Sequence, residues 1–269
     1  KSFLELNPKI IVITNIDNDH LDYYGNLENI KKAFTEFVAK LPEGGYLICD
    51  PNDENLKEVV KKNMPTGRQA KSKIIDYTKI SADFNLKIPG EHNIKNAKAA
   101  MAVAEILNIN EKEALTSLND FSGTWRRFEY KGETKKGVLI YDDYGHHPTE
   151  IKATLKGARE FFGNKKIWCI FQPHLYSRTK LLLYDFGKSF GGADEIVLAD
   201  IYAAREPKDE SINSKMLAEE ITKNGGKAVY MKSFDKIANF LAENTKKGDV
   251  VITMGAGDIY KVGENLLKN

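Results

Sequence analysis

The sequence predicts an α/β protein in two parts, the second of them a doubly wound, mostly parallel sheet. Three observations carry this. Apolar runs of strand length alternate with helical stretches along nearly the whole chain. Polar clusters rich in Asp, His, Arg and Gly fall at the ends of those runs, where α/β sheets place their ligands. And 269 residues, at roughly 150 per domain, make about two domains. With 42% hydrophobic and 10% aromatic residues, the chain has the apolar mass for buried cores. Its 40 Lys+Arg against 38 Asp+Glu give a formal charge of +2, no electrostatic reason to expect a nucleic acid or membrane surface as partner. The longest apolar runs, such as residues 10–13 and 167–171, are far short of the ~20 residues of a membrane span, and no signal peptide is expected.

In order, residues 9–16 read as a buried strand running into the polar segment Asp17-Asn18-Asp19-His20. Asn26 is placed to cap a helix whose apolar face is Leu27, Ile30, Phe34, Phe37, Val38 and Leu41, at helical spacing. Pro42-Glu43-Gly44-Gly45 is a turn. A strand at 46–49, a helix at 53–63, a loop at 64–73 and short strands at 73–77 and 84–88 follow. Then come an alanine-rich helix at 93–107 and another at 111–119. The pattern breaks at Phe121-Ser122-Gly123-Thr124, so the expected domains are 1–122 and 123–269. In the second, strands at 138–141, 167–171, 196–199, 228–231 and 250–254 alternate with helices at 148–162, 178–190, 213–223 and 234–245, and a last helix follows Gly257. That rhythm means βαβ units.

Cys49 and Cys169 each lie inside a strand-like run and read as core residues, and no C-x-x-C is present. This usage makes the cytoplasm the default location. Two glycine motifs are decoys. Gly187-Lys188-Ser189 resembles the end of a phosphate loop, but Leu182 stands where its first glycine belongs and the segment reads as helix. Gly255-x-Gly257 has Tyr260 in place of a third glycine.

The candidate site residues come from the polar clusters. His20 follows the first strand, either as a solvated loop side chain or as a magnesium- or phosphate-adjacent group. Asn93 and Asn96, at i and i+3, share a helix face. A carboxamide matches adenine's N6 and N7, donor to acceptor; capping of the helix by Asn93 is the other reading. Only six of the basic residues are arginines, and Arg126, Arg127, Arg178 and Arg205 sit in or beside the clusters. A guanidinium's planar fork suits phosphate and carboxylate, while a surface ion pair of Arg126 or Arg127 with Glu129 would be structural. In Asp142-Asp143-Tyr144-Gly145-His146-His147-Pro148, Asp143 is placed to accept from a ribose hydroxyl, His146 to reach phosphate or substrate, and His147 to pack or cap.

Taken together these segments resemble the Mur ligases. The matching stretches are Thr14-Asn15-Ile16-Asp17-x-Asp19-His20-Leu21-Asp22, Ile88-Pro89-Gly90-Glu91-His92-Asn93-x-x-Asn96 and Trp125-Arg126-Arg127-Phe128-Glu129. Asp142-Asp143-Tyr144-Gly145-His146-His147-Pro148-Thr149-Glu150, Gln172-Pro173-His174 through Arg178-Thr179 and Met254-Gly255-Ala256-Gly257-Asp258 complete the set, in family order. The resemblance implies part of a central ATPase α/β domain followed by a Rossmann-like domain. It implies an ATP- and magnesium-dependent ligase of peptidoglycan synthesis, and its most specific clusters point to the branch that joins L-alanine to UDP-N-acetylmuramate. By the family pattern His20 belongs near magnesium, Asn93 and Asn96 hold adenine, Arg127 the phosphates and Asp143 the ribose. Tyr144, His146, His174 and Arg178 line the place where alanine meets an acyl phosphate.

Departures from the pattern matter as well. No Gly-x-x-Gly-Lys-Thr/Ser occurs, and the chain opens Lys1-Ser2-Phe3 without Met. The expectation is therefore that an amino-terminal UDP-sugar domain and the phosphate loop lie outside it, and that the chain alone is inactive. Leu175 stands where some members have arginine. No lysine occupies the position that is carbamylated in some members, so none is expected here. Two alternatives stay open, a sister ligase that recycles a muropeptide and a non-catalytic nucleotide-binding module.

Overall fold

The structure, a computed structural model, describes residues 1–63 and 72–268, so most of the loop expected at 64–73 lies outside the described residues. The chain forms two compact units, Lys1–Lys87 with His92–Phe121, and Ile88–Glu91 with Ser122–Asn269.

The first unit is built on β1 (Ile10–Ile13), α1 (Leu21–Tyr24), α2 (Leu27–Val38), β2 (Tyr46–Cys49), α3 (Glu54–Asn63), β3 (Lys73–Asp76), α4 (Glu91–Ile106) and α5 (Glu111–Asp120). Its described strands pair in parallel in the order β1-β2-β3, with Ile13 opposite Cys49 and Cys49 opposite Asp76. Asn26 caps α2, its side-chain oxygen accepting from the Asn29 amide at 2.9 Å, which satisfies one of the orphan donors of a helix start. Strand alternation divides the core. Ile11, Ile13, Leu47 and Cys49 face α2 and α3, while Ile48 packs with Tyr77, Ala99 and Ala102. Those two alanines lie on one face of α4, and their small side chains let that helix approach the sheet closely. The strand expected at 84–88 does not form. The Phe84 amide turns back to Ala82 O at 3.0 Å and the Asn85 amide goes to the Asn119 side chain at 2.9 Å, so neither enters a ladder.

The second unit contains β4 (Glu129–Glu133), β5 (Leu139–Asp143), α6 (Pro148–Phe162), β6 (Ile167–Phe171), α7 (Tyr176–Leu181), α8 (Leu183–Gly187), β7 (Glu195–Leu198), α9 (Ser214–Lys223), β8 (Ala228–Tyr230), α10 (Phe234–Asn244), β9 (Val250–Met254) and α11 (Tyr260–Lys268). They form a six-stranded sheet in the order β4-β5-β9-β6-β7-β8, parallel except for β4. β6 and β9 are buried along their whole length, and alternate residues of β6 go to opposite cores. Ile167, Cys169 and Phe171 face α6, α8 and α9, whereas Trp168 and Ile170 face α10 and α11. Met254 stands opposite both Asp143 and Phe171, so the carboxyl ends of β5, β9 and β6 lie in one row.

One strand was not expected and one expected helix is corrected. β4 lacks an apolar signal because it is a short, charged edge strand, a composition that discourages edge-to-edge pairing. The helix expected at 178–190 starts at Tyr176 and breaks at Leu182, whose ψ of 18° leaves the helical range. In Gly187-Lys188-Ser189, Gly187 ends α8, Lys188 caps it and Ser189 follows, its hydroxyl donating to Asp185 O at 2.7 Å. Both cysteines are free and buried, one in each unit. Among the described residues no helix is long and apolar enough to cross a membrane.

Candidate active site

The polar clusters of the second unit meet at the carboxyl edge of its sheet, and a buried arginine organises them. Asp142 is 1% exposed, and its carboxylate accepts from the Thr253 hydroxyl and from Arg126 Nε, each at 2.6 Å. The same guanidinium donates to Gly257 O at 3.0 Å and Gly255 O at 2.6 Å. Arg126 therefore joins the loop before β4 to the ends of β5 and β9. Of the two arginines, Arg126 is the structural one, but not through the alternative surface pair with Glu129: that carboxylate takes the backbone amide of Arg126, at 2.9 Å. Arg126 and Phe128 have φ of 56° and 48°. The alternation turns those two side chains inward and leaves Arg127 exposed, its guanidinium 5.6 Å from the Tyr144 ring centre and 3.5 Å from Glu150. Gly255 and Gly257 are required by packing. A Cβ would stand 2.6 Å from Gln172 O in one case and 2.5 Å from Gln172 Oε1 in the other.

Asp143, the expected ribose acceptor, is held by several donors of the second unit. It is buried, accepting from the Gly145 amide at 2.7 Å, the Phe128 amide at 2.9 Å and the Thr154 hydroxyl at 3.4 Å. Burial raises its pKa, against the lowering effect of the Gly145 and Phe128 amides and the Arg127 charge. These bonds shape the turn that presents Tyr144 and His146. His147 caps α6 in a capping box, its Nδ1 accepting from the Thr149 amide at 3.3 Å while Glu150 accepts the His147 amide at 3.1 Å. Glu150 also accepts the His146 amide at 2.9 Å. His146 Nδ1 lies 3.1 Å from Tyr144 O and 3.5 Å from the Glu150 carboxylate. Both neighbours are acceptors, so Nδ1 carries the proton and the neutral ring has its lone pair on Nε2.

His174, three residues past β6, takes the opposite tautomer. Its Nδ1 lies 3.2 Å from Arg178 Nη1, which can only donate, so the imidazole proton is on Nε2. The His174 ring stacks on Tyr202 at 5.6 Å between centres, and the His146 ring is 5.8 Å away with Tyr144 5.5 Å beyond it. Tyr144, His146, His174 and Arg178 are thus brought together. Burial and the Arg178 charge lower the His174 pKa to about 4. Between that value and the ordinary ~6.5 the unfolded chain binds more protons than the folded one. The contribution of His174 to stability is therefore complete above ~6.5 and is lost as pH falls toward 4. A carbon-detected NMR titration should find this imidazole neutral from pH 8 to about 5; a midpoint near 6.5 would contradict the geometry.

The remaining candidates belong to the first unit. His20 precedes α1 with a φ of 53°, and its exposed ring has Nε2 3.8 Å from Asp19 Oδ2. Among the described residues no group of three or more His, Cys, Asp or Glu side chains is placed to hold a metal ion. α4 begins at Glu91, so Asn93 lies inside its first turn rather than at the cap, half-buried, with Asn96 exposed one turn on.

Two family models match the chain, "Mur ligase middle domain" over residues 2–68 and "Mur ligase, glutamate ligase domain" over 126–257. The chain belongs to the Mur ligase family. Among curated Mur ligases it is 45% identical to the UDP-N-acetylmuramate–L-alanine ligase of Caldanaerobacter subterraneus, aligned over 99% of this chain and 62% of the relative. It is also 45% identical to the enzyme of that name from Clostridium acetobutylicum, with the same coverage of 99% and 62%. Among solved structures, UDP-N-acetylmuramate-alanine ligase MurC of Thermotoga maritima superposes with a TM-score of 0.74 at 25% identity, covering 98% of this chain and 60% of that one. The chain thus spans about 62% of the length of these curated Mur ligases.

Three contributors to this Mur ligase site were not singled out from sequence. Tyr202 supports the His174 ring, Glu150 accepts two successive amides, and Gln172 lies beneath the glycine loop with its Oε1 buried and without a hydrogen-bond partner. Tyr202 and Gln172 do occupy strand-end clusters. Glu150 carries no such signal, being an ordinary first-turn helix acid until the fold puts His146 beside it.

Proposed function

We propose that these residues belong to an ATP-dependent ligase that joins L-alanine to the carboxylate of UDP-N-acetylmuramate in peptidoglycan synthesis. In this reading residues 1–122 are the later part of the central ATPase domain and 123–269 the carboxyl-terminal domain. The observation that carries it is the pair of imidazoles 5.8 Å apart, flanked by Tyr144 and a buried guanidinium. The names of the curated relatives support the choice of amine and acid.

A carboxylate is a poor electrophile, and bound ATP would supply the phosphoryl group that makes it an acyl phosphate. The residues of this chain then have to orient the amine and remove its proton. Arg178 presents a cation for the carboxylate of alanine, since a guanidinium stays charged at all working pH. His146, with its lone pair on Nε2, is suited to accept the amine proton as the new C–N bond forms. His174 and Tyr144 wall the space between. Arg127, exposed beside Tyr144, fits the phosphates, and Asn93 and Asn96 fit adenine. By the family pattern His20 would stand near magnesium, with the Asp19 carboxylate beside it the ligand type for a cation that takes carboxylate, water and phosphate oxygens. A reaction fed by ATP fits a cytoplasmic location.

In the complete gene product, release of phosphate from ATP should require both UDP-N-acetylmuramate and L-alanine. Release indifferent to both removes the ligase reading, and a requirement for a peptide in place of alanine moves it to the sister, recycling ligase.

A further inference from the structure

Four rings stand in a row at the carboxyl edge of the second unit. Tyr144 meets His146 at 5.5 Å between centres, His146 meets His174 at 5.8 Å, and His174 stacks on Tyr202 at 5.6 Å with the two planes 18° apart. Tyr202 reaches the row from the loop after β7, which is bonded to the loop after β6. The Leu175 amide donates to Tyr202 O at 2.9 Å and the Tyr202 amide to Pro173 O at 2.8 Å, a parallel bridge that sets Tyr202 opposite His174. Further along, the Glu206 carboxylate accepts the Ser177 amide at 3.1 Å and the Ser177 hydroxyl, tying the same loop to the first turn of α7. Behind the tyrosine lies the glycine loop. A Cβ on Gly257 would stand 2.9 Å from Tyr202 Cγ, so the ring rests against a bare backbone. One buried guanidinium serves both ends of the row. Arg126 donates to Gly257 O at 3.0 Å, behind Tyr202, and lies 5.2 Å from the centre of the Tyr144 ring.

We infer that Tyr202, seated on Gly257, is a positioning residue of the ligase site, fixing the His174 imidazole and through it the Arg178 guanidinium that orients the amino-acid substrate. This rests on the ligase reading above. A histidine on a loop keeps two soft side-chain torsions. The bond from Arg178 Nη1 to His174 Nδ1, at 3.2 Å, fixes one ring atom, and the face of Tyr202 fixes the plane; together they leave one orientation. The stack also keeps water off one side of the imidazole, in keeping with burial as the largest cause of the lowered His174 pKa. Gly255-x-Gly257 thereby gains a use other than phosphate binding: its second glycine lets an aromatic ring come into contact with the backbone.

The test compares Tyr202→Ala, Tyr202→Phe and Gly257→Ala with the unsubstituted complete gene product. Phosphate release is measured with L-alanine varied, and His174 is titrated by carbon-detected NMR, its signal assigned by loss in His174→Gln. In Tyr202→Ala, kcat/KM for L-alanine should fall roughly ten- to a hundredfold, the scale for a misplaced orienting group, with the KM for ATP unchanged. The His174 midpoint should rise by about one pH unit as water reaches the uncovered face. Tyr202→Phe keeps the flat face and should recover most of both losses. Gly257→Ala, which pushes the ring off its seat, should move both readouts in the same direction as Tyr202→Ala. Arg178 from α7, His146 from the loop after β5 and Arg205 and Glu206 from the loop after β7 also act on the charge of this imidazole, and the substitutions leave all four in place. A His174 midpoint within about 0.3 pH units of the unsubstituted protein in Tyr202→Ala overturns the assignment, as does a kcat/KM for L-alanine within twofold; either result leaves the ligase reading intact. An unsubstituted protein whose phosphate release ignores L-alanine removes the ligase reading and the role in orienting substrate with it, whatever the titration shows.

Discussion

Arg126→Ala is expected to destabilise the second unit by about 3–5 kcal/mol, the range for removing one partner of a buried ion pair. The guanidinium makes three hydrogen bonds, to Asp142 and to the carbonyls of Gly255 and Gly257. Its loss leaves a 1% exposed carboxylate with only the Thr253 hydroxyl as partner among the side chains that hold it here. It also frees two carbonyls and removes the brace between the ends of β5 and β9. Lysine should rescue little, because an ammonium cannot match a fork that spans a carboxylate and two carbonyls. Urea unfolding followed by far-UV circular dichroism measures the effect. A loss below about 1 kcal/mol, the level of an exposed pair, would mean that the network is not formed as described. The double variant Arg126→Met with Asp142→Leu should be less destabilised than Arg126→Ala, because it leaves no buried charge unpaired.

In the complete gene product, on the ligase reading proposed above, His146→Ala is expected to lower kcat by about 10²- to 10⁴-fold, the range for loss of a general base, with a smaller change in the KM for ATP. Tyr144 O and Glu150 engage Nδ1, so the ring is oriented before substrate arrives and its lone pair is aimed by the fold. Stability should change little, since the backbone bonds of His146 and His147 to Glu150 do not involve the imidazole. A kcat within threefold of the unsubstituted protein, measured as ADP formation with all substrates saturating, would remove His146 from proton transfer.

The contrast between these two residues shows what was readable in the chain. His146 is legible because a histidine just past a strand end, next to Asp and Tyr, is a chemically loaded pattern. The role of Arg126 is not, because Arg126 and Arg127 are chemically identical in sequence and differ only in which one the backbone turns inward. Asp142 and Asp143 present the same ambiguity. Both end β5 buried, one paired with Arg126 and the other holding backbone amides, and which of the two meets the guanidinium is decided by the loop before β4. In the same way the strand at 84–88 fails because a side chain of α5, 34 residues away, takes the amide of Asn85.

Most of the alternation of strands and helices, the cap at Asn26, the parallel sheet of the second unit and the placement of polar clusters at strand ends follow from the sequence alone. These depend on periodicity and on groups within a few residues of one another, so local chemistry suffices to determine them. Which arginine is buried, which tautomer each imidazole holds, and the meeting of Glu206 with Ser177 in the first turn of α7 were decided only by the tertiary structure. Each of these depends on partners supplied by distant segments, and a hydrogen bond's direction is known only when both of its ends are in place.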